Sequence, residues 1–135
     1  MHAIGLKGPS NVGKSQTLNL LIDLLQVATT SCIMPVPQPK GKDRREIFYY
    51  KDFIVGVATA GDNKIIVDRN CFFFNEHNCN FVFSATRTKG ESVDSFKNFV
   101  TKRNAKLNWV KRERNYSTPD DYAMLQAQEL FNMIK

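Results

Sequence analysis

Apolar residues in this chain fall into short blocks that alternate between two spacings. Ala3, Ile4, Gly5 and Leu6 form a brief run that ends at a glycine-rich stretch, as a buried strand does. Leu18, Leu21, Ile22 and Leu25 then recur at helical spacing, and Leu20 and Leu24 widen the apolar face. That pattern predicts a helix buried on most sides. It ends before the stretch 31–41, where Pro35, Pro37 and Pro39 forbid helix and fit an extended surface loop. Residues 46–50 and 53–58 are β-rich and separated only by Lys51 and Asp52, which predicts an antiparallel hairpin.

Ala60, Gly61, Asp62 and Asn63 break the second strand, and Asp62 or Asn63 can cap a following helix. Residues 64–76 are expected to be helical because Ile65 and Phe72, and Ile66 and Phe73, stand seven apart. Taken alone, 71–74 would also suit a strand. Residues 80–85 read as another buried strand. Val93, Phe96, Phe99 and Val100 make one helical stripe within 92–102, and 106–111 is a further strand around Leu107, Trp109 and Val110. Thr118, Pro119, Asp120 and Asp121 form a helix start, and Ala123, Ala127, Leu130 and Ile134 share the face that follows. This order predicts a three-layer α/β/α sandwich around a mostly parallel sheet of about five strands, with one antiparallel hairpin strand.

The length of 135 residues fits one domain, taken as 1–135. Hydrophobic residues at 42% and charged residues at 24% exclude wholesale disorder. No apolar run approaches the roughly 20 residues that a spanning helix needs, so no membrane partner is expected. Met1, His2, Ala3 and Ile4 do not open a signal peptide, and Cys32, Cys71 and Cys79 are an odd, widely spaced set. A cytoplasmic location without a disulfide framework is the expectation. The spacing of Cys71, His77 and Cys79 matches no paired-cysteine zinc pattern, so Cys71 is read as core. The net charge of +6 is concentrated at Lys97, Lys102, Arg103, Lys106, Lys111, Arg112 and Arg114. That segment is either a solvated face or a patch for nucleic acid. A lesser basic stretch holds Lys40, Lys42, Arg44 and Arg45.

The chemistry is concentrated in Gly8, Pro9, Ser10, Asn11, Val12, Gly13, Lys14 and Ser15, which match G-x-x-x-x-G-K-[ST] at every fixed position. An apolar strand precedes the motif and an amphipathic helix follows it, as a phosphate loop requires. Backbone N–H groups of such a loop point inward around a phosphate, and the helix N-terminus adds its dipole. Lys14 then bridges the β- and γ-phosphates, and the Ser15 hydroxyl is placed to ligate Mg²⁺. Gln16 and Thr17, in the first helical turn, are candidates for the α-phosphate.

On these residues the chain resembles the P-loop NTPase superfamily. The resemblance implies a second acid at the carboxyl end of the strand beside the phosphate-loop strand, where it holds Mg²⁺ or orients water. Asp62 is that candidate, with Ser15 as the other metal ligand. Asn11-Val12-Gly13-Lys14-Ser15 is similar to the loop of Era-like GTPases, in which Thr29 or Thr30 would be the switch threonine. Ala58-Thr59-Ala60-Gly61 stands where those proteins carry Asp-Thr-Ala-Gly. The guanine-reading motif is absent: Thr88-Lys89-Gly90-Glu91 follows too early a strand, and Asn63-Lys64-Ile65-Ile66 lacks the acid. ATP is therefore favoured over GTP. Arg87, just past the strand 80–85, is a candidate either for stabilising γ-phosphate charge or for neutralising a nearby carboxylate. No lid-sized insertion is present, which makes a kinase the lesser enzyme. The expectation is a Mg²⁺-dependent triphosphatase. Its alternative is a nucleotide-gated module that contacts nucleic acid or a protein partner, a second copy included, through the basic face.

Overall fold

The structure is a computed structural model that describes residues 1–9, 13–29, 32–33, 43–112 and 119–134. Its first strand, β1 (His2–Lys7), sends Ala3 to one face and Ile4 and Leu6 to the other. Burial on both faces is what a central parallel strand needs. The chain continues through α1 (Lys14–Ala28), β2 (Cys32–Ile33), β3 (Arg45–Tyr50) and β4 (Phe53–Ala58). It then runs through α2 (Lys64–Glu76), β5 (Phe81–Thr86), α3 (Glu91–Lys102), β6 (Lys106–Lys111) and α4 (Pro119–Asn132).

Among the described residues the sheet has six strands in the order β2-β3-β4-β5-β1-β6. β1 pairs in parallel with β5 and β6, and β4 pairs in parallel with β5. β3 runs antiparallel to β4, through a turn in which Lys51 and Asp52 both take positive φ (49° and 66°). Two left-handed central residues make the turn whose twist suits a two-residue hairpin. Leu18, Leu21 and Leu25 of α1 and Ala127 and Leu130 of α4 cover one face, against Ile4, Leu6, Val57 and Phe83. Val67 and Phe74 of α2 and Phe96 and Val100 of α3 cover the other, against Ala3, Ala58 and Val82. The chain is thus an α/β protein with helices on both faces of a mostly parallel sheet.

Several expectations are corrected. Among the described residues a short extra strand joins the expected sheet, because Cys32 and Ile33 pair with Phe48 and Ile47 inside the stretch expected to be loop. The three prolines and Thr118 lie outside the described residues. α2 is helical as expected, yet Ile65 and Phe72, whose spacing argued for it, are exposed at 64% and 67%. The stripe that packs is Val67, Asn70, Cys71 and Phe74. Of the two expected caps, Asp62 or Asn63, it is Asn63 that caps this helix, its side chain accepting from the Ile66 N–H at 2.9 Å. Finally, β5 intervenes between β1 and β4. Every residue of β5 is buried, which is the position that a strand apolar on both faces takes.

Cys71 and Cys79 are free thiols in the core beneath α2, and burial pushes both up to about 12. The His77 ring lies against the Phe73 carbonyl at 2.9 Å. Among the described residues no group of three His, Cys, Asp or Glu side chains is placed to hold a metal.

Candidate functional site

The carboxyl ends of β1, β4 and β5 meet the N-terminus of α1. Gly13 stands at the junction with φ +100°, a left-handed conformation that suits glycine. Being glycine, it supplies no side-chain cap to α1, and the first turn carries no acid. The positive end of the helix dipole therefore opens onto whatever lies beside Gly13 and Lys14. Ser10, Asn11 and Val12 lie outside the described residues.

Lys14 is only 6% exposed. Its Nζ donates to the Gly8 carbonyl at 2.7 Å and the Thr86 carbonyl at 2.8 Å, and stands 3.6 Å from Asp62 Oδ1. One ammonium thus ties the ends of β1 and β5 together. Burial lowers its pKa below the usual lysine range. Asp62 opposes that shift, and Arg87 adds to it.

Asp62 follows β4, a strand removed from β1, yet it reaches Lys14. Gly61 explains how. The loop after β4 crosses directly over the end of β5, and a Cβ on Gly61 would fall on the Ala85 carbonyl. The crossing is pinned by Asn70 of α2, whose Nδ2 donates to the Ala60 carbonyl (2.7 Å) and to Ser84 Oγ (3.1 Å). Asn70 Oδ1 accepts from Arg45 Nε at 2.7 Å. Asp62 Oδ1 also lies 3.6 Å from Arg87 Nε, so one carboxylate stands between two cations. The Arg87 backbone N–H donates to Ser92 Oγ at the start of α3 (3.0 Å).

These groups border a cleft of about 360 Å³ lined by Lys14, Ser15, Asp43, Thr59 and Asp62. A shallower hollow of about 280 Å³ continues on the far side of Asp62, past Arg87, Lys89 and Glu91. The Ser15 hydroxyl donates to the Thr59 carbonyl at 3.0 Å. Its proton is thereby spent, and its lone pairs remain for an acceptor role. A hydroxyl with free lone pairs and a carboxylate in one cleft are hard oxygen donors of the kind Mg²⁺ takes. The donor set therefore fits the expected metal.

Other expected residues are placed elsewhere. Thr17 is fully buried, with its Oγ1 3.4 Å from Gln126 Oε1, so it joins α1 to α4. Gln16 is exposed on the first turn of α1. Thr29 closes the far end of α1, its hydroxyl donating to the Leu25 carbonyl (2.8 Å), a whole helix length from Lys14. Thr30 is outside the described residues.

The structure adds residues that the sequence did not single out as site residues. Asp43 is a second acid in the cleft. Arg112, counted among the surface cations, is 2% exposed. Its backbone N–H donates to the Lys7 carbonyl (2.8 Å), its Nε to the Gly13 carbonyl (3.4 Å), and its guanidinium lies 4.4 Å over the Tyr122 ring. It packs against Gly13 from the α4 side. Asn70 had a usable signal, as the one polar residue on the buried stripe of α2.

Set against family models, curated proteins and solved structures, the chain matches none. The chemistry of the cleft must be argued from its own residues.

With Arg112 withdrawn, Lys97, Lys102, Arg103, Lys106 and Lys111 remain exposed along α3 and β6. β6 is an edge strand, and lysines at its two ends discourage pairing with another chain. Among the described residues no helix is long and apolar enough to cross a membrane.

Proposed function

We propose that this chain is a Mg²⁺-dependent nucleoside triphosphatase of the P-loop type, with ATP favoured over GTP. The observation that carries the proposal is Lys14: a buried ammonium at the head of a cleft, beside a helix N-terminus whose cap residue, Gly13, has no side chain, with Ser15, Asp62 and Arg87 around it. A buried cation is costly unless something anionic repays it. Asp62 supplies that charge in the ligand-free protein, and a triphosphate would supply more.

Each side chain has a role in this reading. The α1 N-terminus and Lys14 hold the β- and γ-phosphates. Ser15 and Asp62 would hold Mg²⁺, which neutralises phosphate charge when bound. Water attacks the γ-phosphorus in line, and the bond to the β–γ bridging oxygen breaks. The products are the diphosphate, inorganic phosphate and a proton. Arg87, beside Asp62, would stabilise the charge that develops in that step. Turnover with Mg²⁺-ATP tests the assignment. Arg87→Ala is expected to lower kcat by about 10²–10³-fold while triphosphate binding is retained. An unchanged kcat would remove Arg87 from the chemistry.

A second reading rests on the exposed cations of α3 and β6. There the chain is a nucleotide-gated module whose slow turnover rises when nucleic acid or a protein partner binds that face. Turnover indifferent to added RNA or DNA, at low and high salt, would count against nucleic acid as the partner.

A further inference from the structure

Behind Ser15 lies a buried ion pair that the proposed chemistry does not use. Arg44 is 8% exposed and Glu46 2%, and Arg44 Nη2 donates to Glu46 Oε2 at 2.8 Å. The other end of the guanidinium donates from Nη1 to Asn19 Oδ1 on α1 at 3.0 Å. Asn19 Nδ2 in turn donates to the Ser15 carbonyl at 2.9 Å. On its other side, the main chain of Arg44, not its guanidinium, pairs twice with Thr59. The Arg44 N–H donates to Thr59 Oγ1 (2.8 Å), and the Thr59 N–H donates to the Arg44 carbonyl (3.0 Å). Thr59 is the residue whose carbonyl takes the Ser15 hydroxyl proton. The circuit is closed: it leaves Ser15 through its hydroxyl, passes Thr59, Arg44 and Asn19, and returns to Ser15 at its carbonyl.

The circuit has a definite chemical effect. It holds the Thr59 carbonyl where the Ser15 proton must go, so the lone pairs of that oxygen face the cleft. A hydroxyl free to rotate would spend part of its time aiming its proton there instead. Burying two charges is costly, and well-packed apolar residues often serve stability equally well. The pair is therefore not explained by stability alone.

We infer that Arg44 is a positioning residue for the divalent cation: its guanidinium, tied to Asn19 and Glu46, anchors the main chain that pairs with Thr59, and so fixes the Ser15 hydroxyl as a metal ligand without Arg44 itself touching nucleotide or metal. The inference rests on the triphosphate reading of the same cleft. Partners behind a metal ligand set its affinity, and their removal typically weakens metal binding by about 10–100-fold.

The test is titration calorimetry of ATP and GTP into wild type and the double variant Arg44→Met/Glu46→Leu, in EDTA and at graded Mg²⁺. Removing both charges leaves no orphaned ion in the core. The expected result is metal-free nucleotide binding retained, with the Mg²⁺ needed for half-maximal enhancement raised about 10–100-fold. Asn19→Ala, at a half-buried surface position, carries the same expectation in milder form should the double variant fail to fold. Thr59→Val, which removes the Oγ1 that Arg44 grips, should shift the Mg²⁺ requirement in the same direction. A Mg²⁺ requirement equal to wild type overturns the inference, as does an equal loss of binding with and without metal. Wild type that binds neither triphosphate under any condition overturns the triphosphatase proposal and this inference together, so the two failures are told apart.

Discussion

Lys14 and Asp62 compete as well as cooperate. Their 3.6 Å approach supplies the ammonium with a counter-charge, and the same carboxylate repels an incoming phosphate. Asp62→Asn is therefore expected to tighten metal-free triphosphate binding by about two- to fivefold, the worth of a half-exposed ion pair. It should also abolish the enhancement that Mg²⁺ brings, because one oxygen ligand is lost. Calorimetry with and without metal reads both effects, and a variant that binds like wild type in both states would free Asp62 of either role. The buried Lys14 also predicts a pH signature. Burial lowers its pKa, so below that lowered value it is charged at a cost to stability, and the cost is relieved as pH rises through it. A bound triphosphate favours the charged form and raises the pKa again. Affinity should thus fall as pH rises through the ligand-free Lys14 pKa, below the usual lysine range. Lys14→Arg should lack that fall, since a guanidinium stays charged.

Among the elements, the crossing of the β4–α2 loop over β5 decides whether a site forms. Gly61 has no room for a methyl group, because the Ala85 carbonyl occupies that place. Gly61→Ala is expected to cost about 1–3 kcal/mol of stability and to carry Asp62 away from Lys14. Chemical denaturation measures the first effect, and the metal dependence of nucleotide binding measures the second. Stability equal to wild type would show that the crossing can shift. This crossing also marks how far the sequence could be read. The fixed spacing around Lys14 and Ser15 was legible because a glycine loop needs those residue types at those positions. Asp62 was legible as an acid near Lys14, but for a reason the fold corrects: its strand is not beside β1, and only the step over Gly61 brings it in. Strand order depends on which strand buries both faces, a property that short apolar runs share. Helix α2 was recovered from the spacing of Ile65 and Phe72, which then proved to face solvent. The two-residue β2 had no periodicity to show.

Across the whole molecule, charge is split between surface and site in a way that composition conceals. Arg112 sits inside a run of cations that resembles a solvated face, yet it packs under Tyr122 against Gly13. Arg44 likewise belongs to a lesser basic stretch and ends up buried behind Ser15. A run of basic letters does not say which of them turns inward, since that depends on where β3 begins and β6 ends relative to α1. The sheet thus presents cations to one rim of the molecule from several strands, and the cleft at that rim is where the proposed chemistry sits. The central claim is that this cleft holds a triphosphate. It is tested most directly by titrating ATP and GTP, with Mg²⁺, into wild type and Lys14→Ala, while circular dichroism confirms that both are folded. The expected result is binding of a triphosphate by wild type, ATP ahead of GTP, weakened about 10–100-fold or more in Lys14→Ala by loss of a charge-assisted contact. Folded wild type that binds neither nucleotide, or Lys14→Ala that binds as well as wild type, would contradict it.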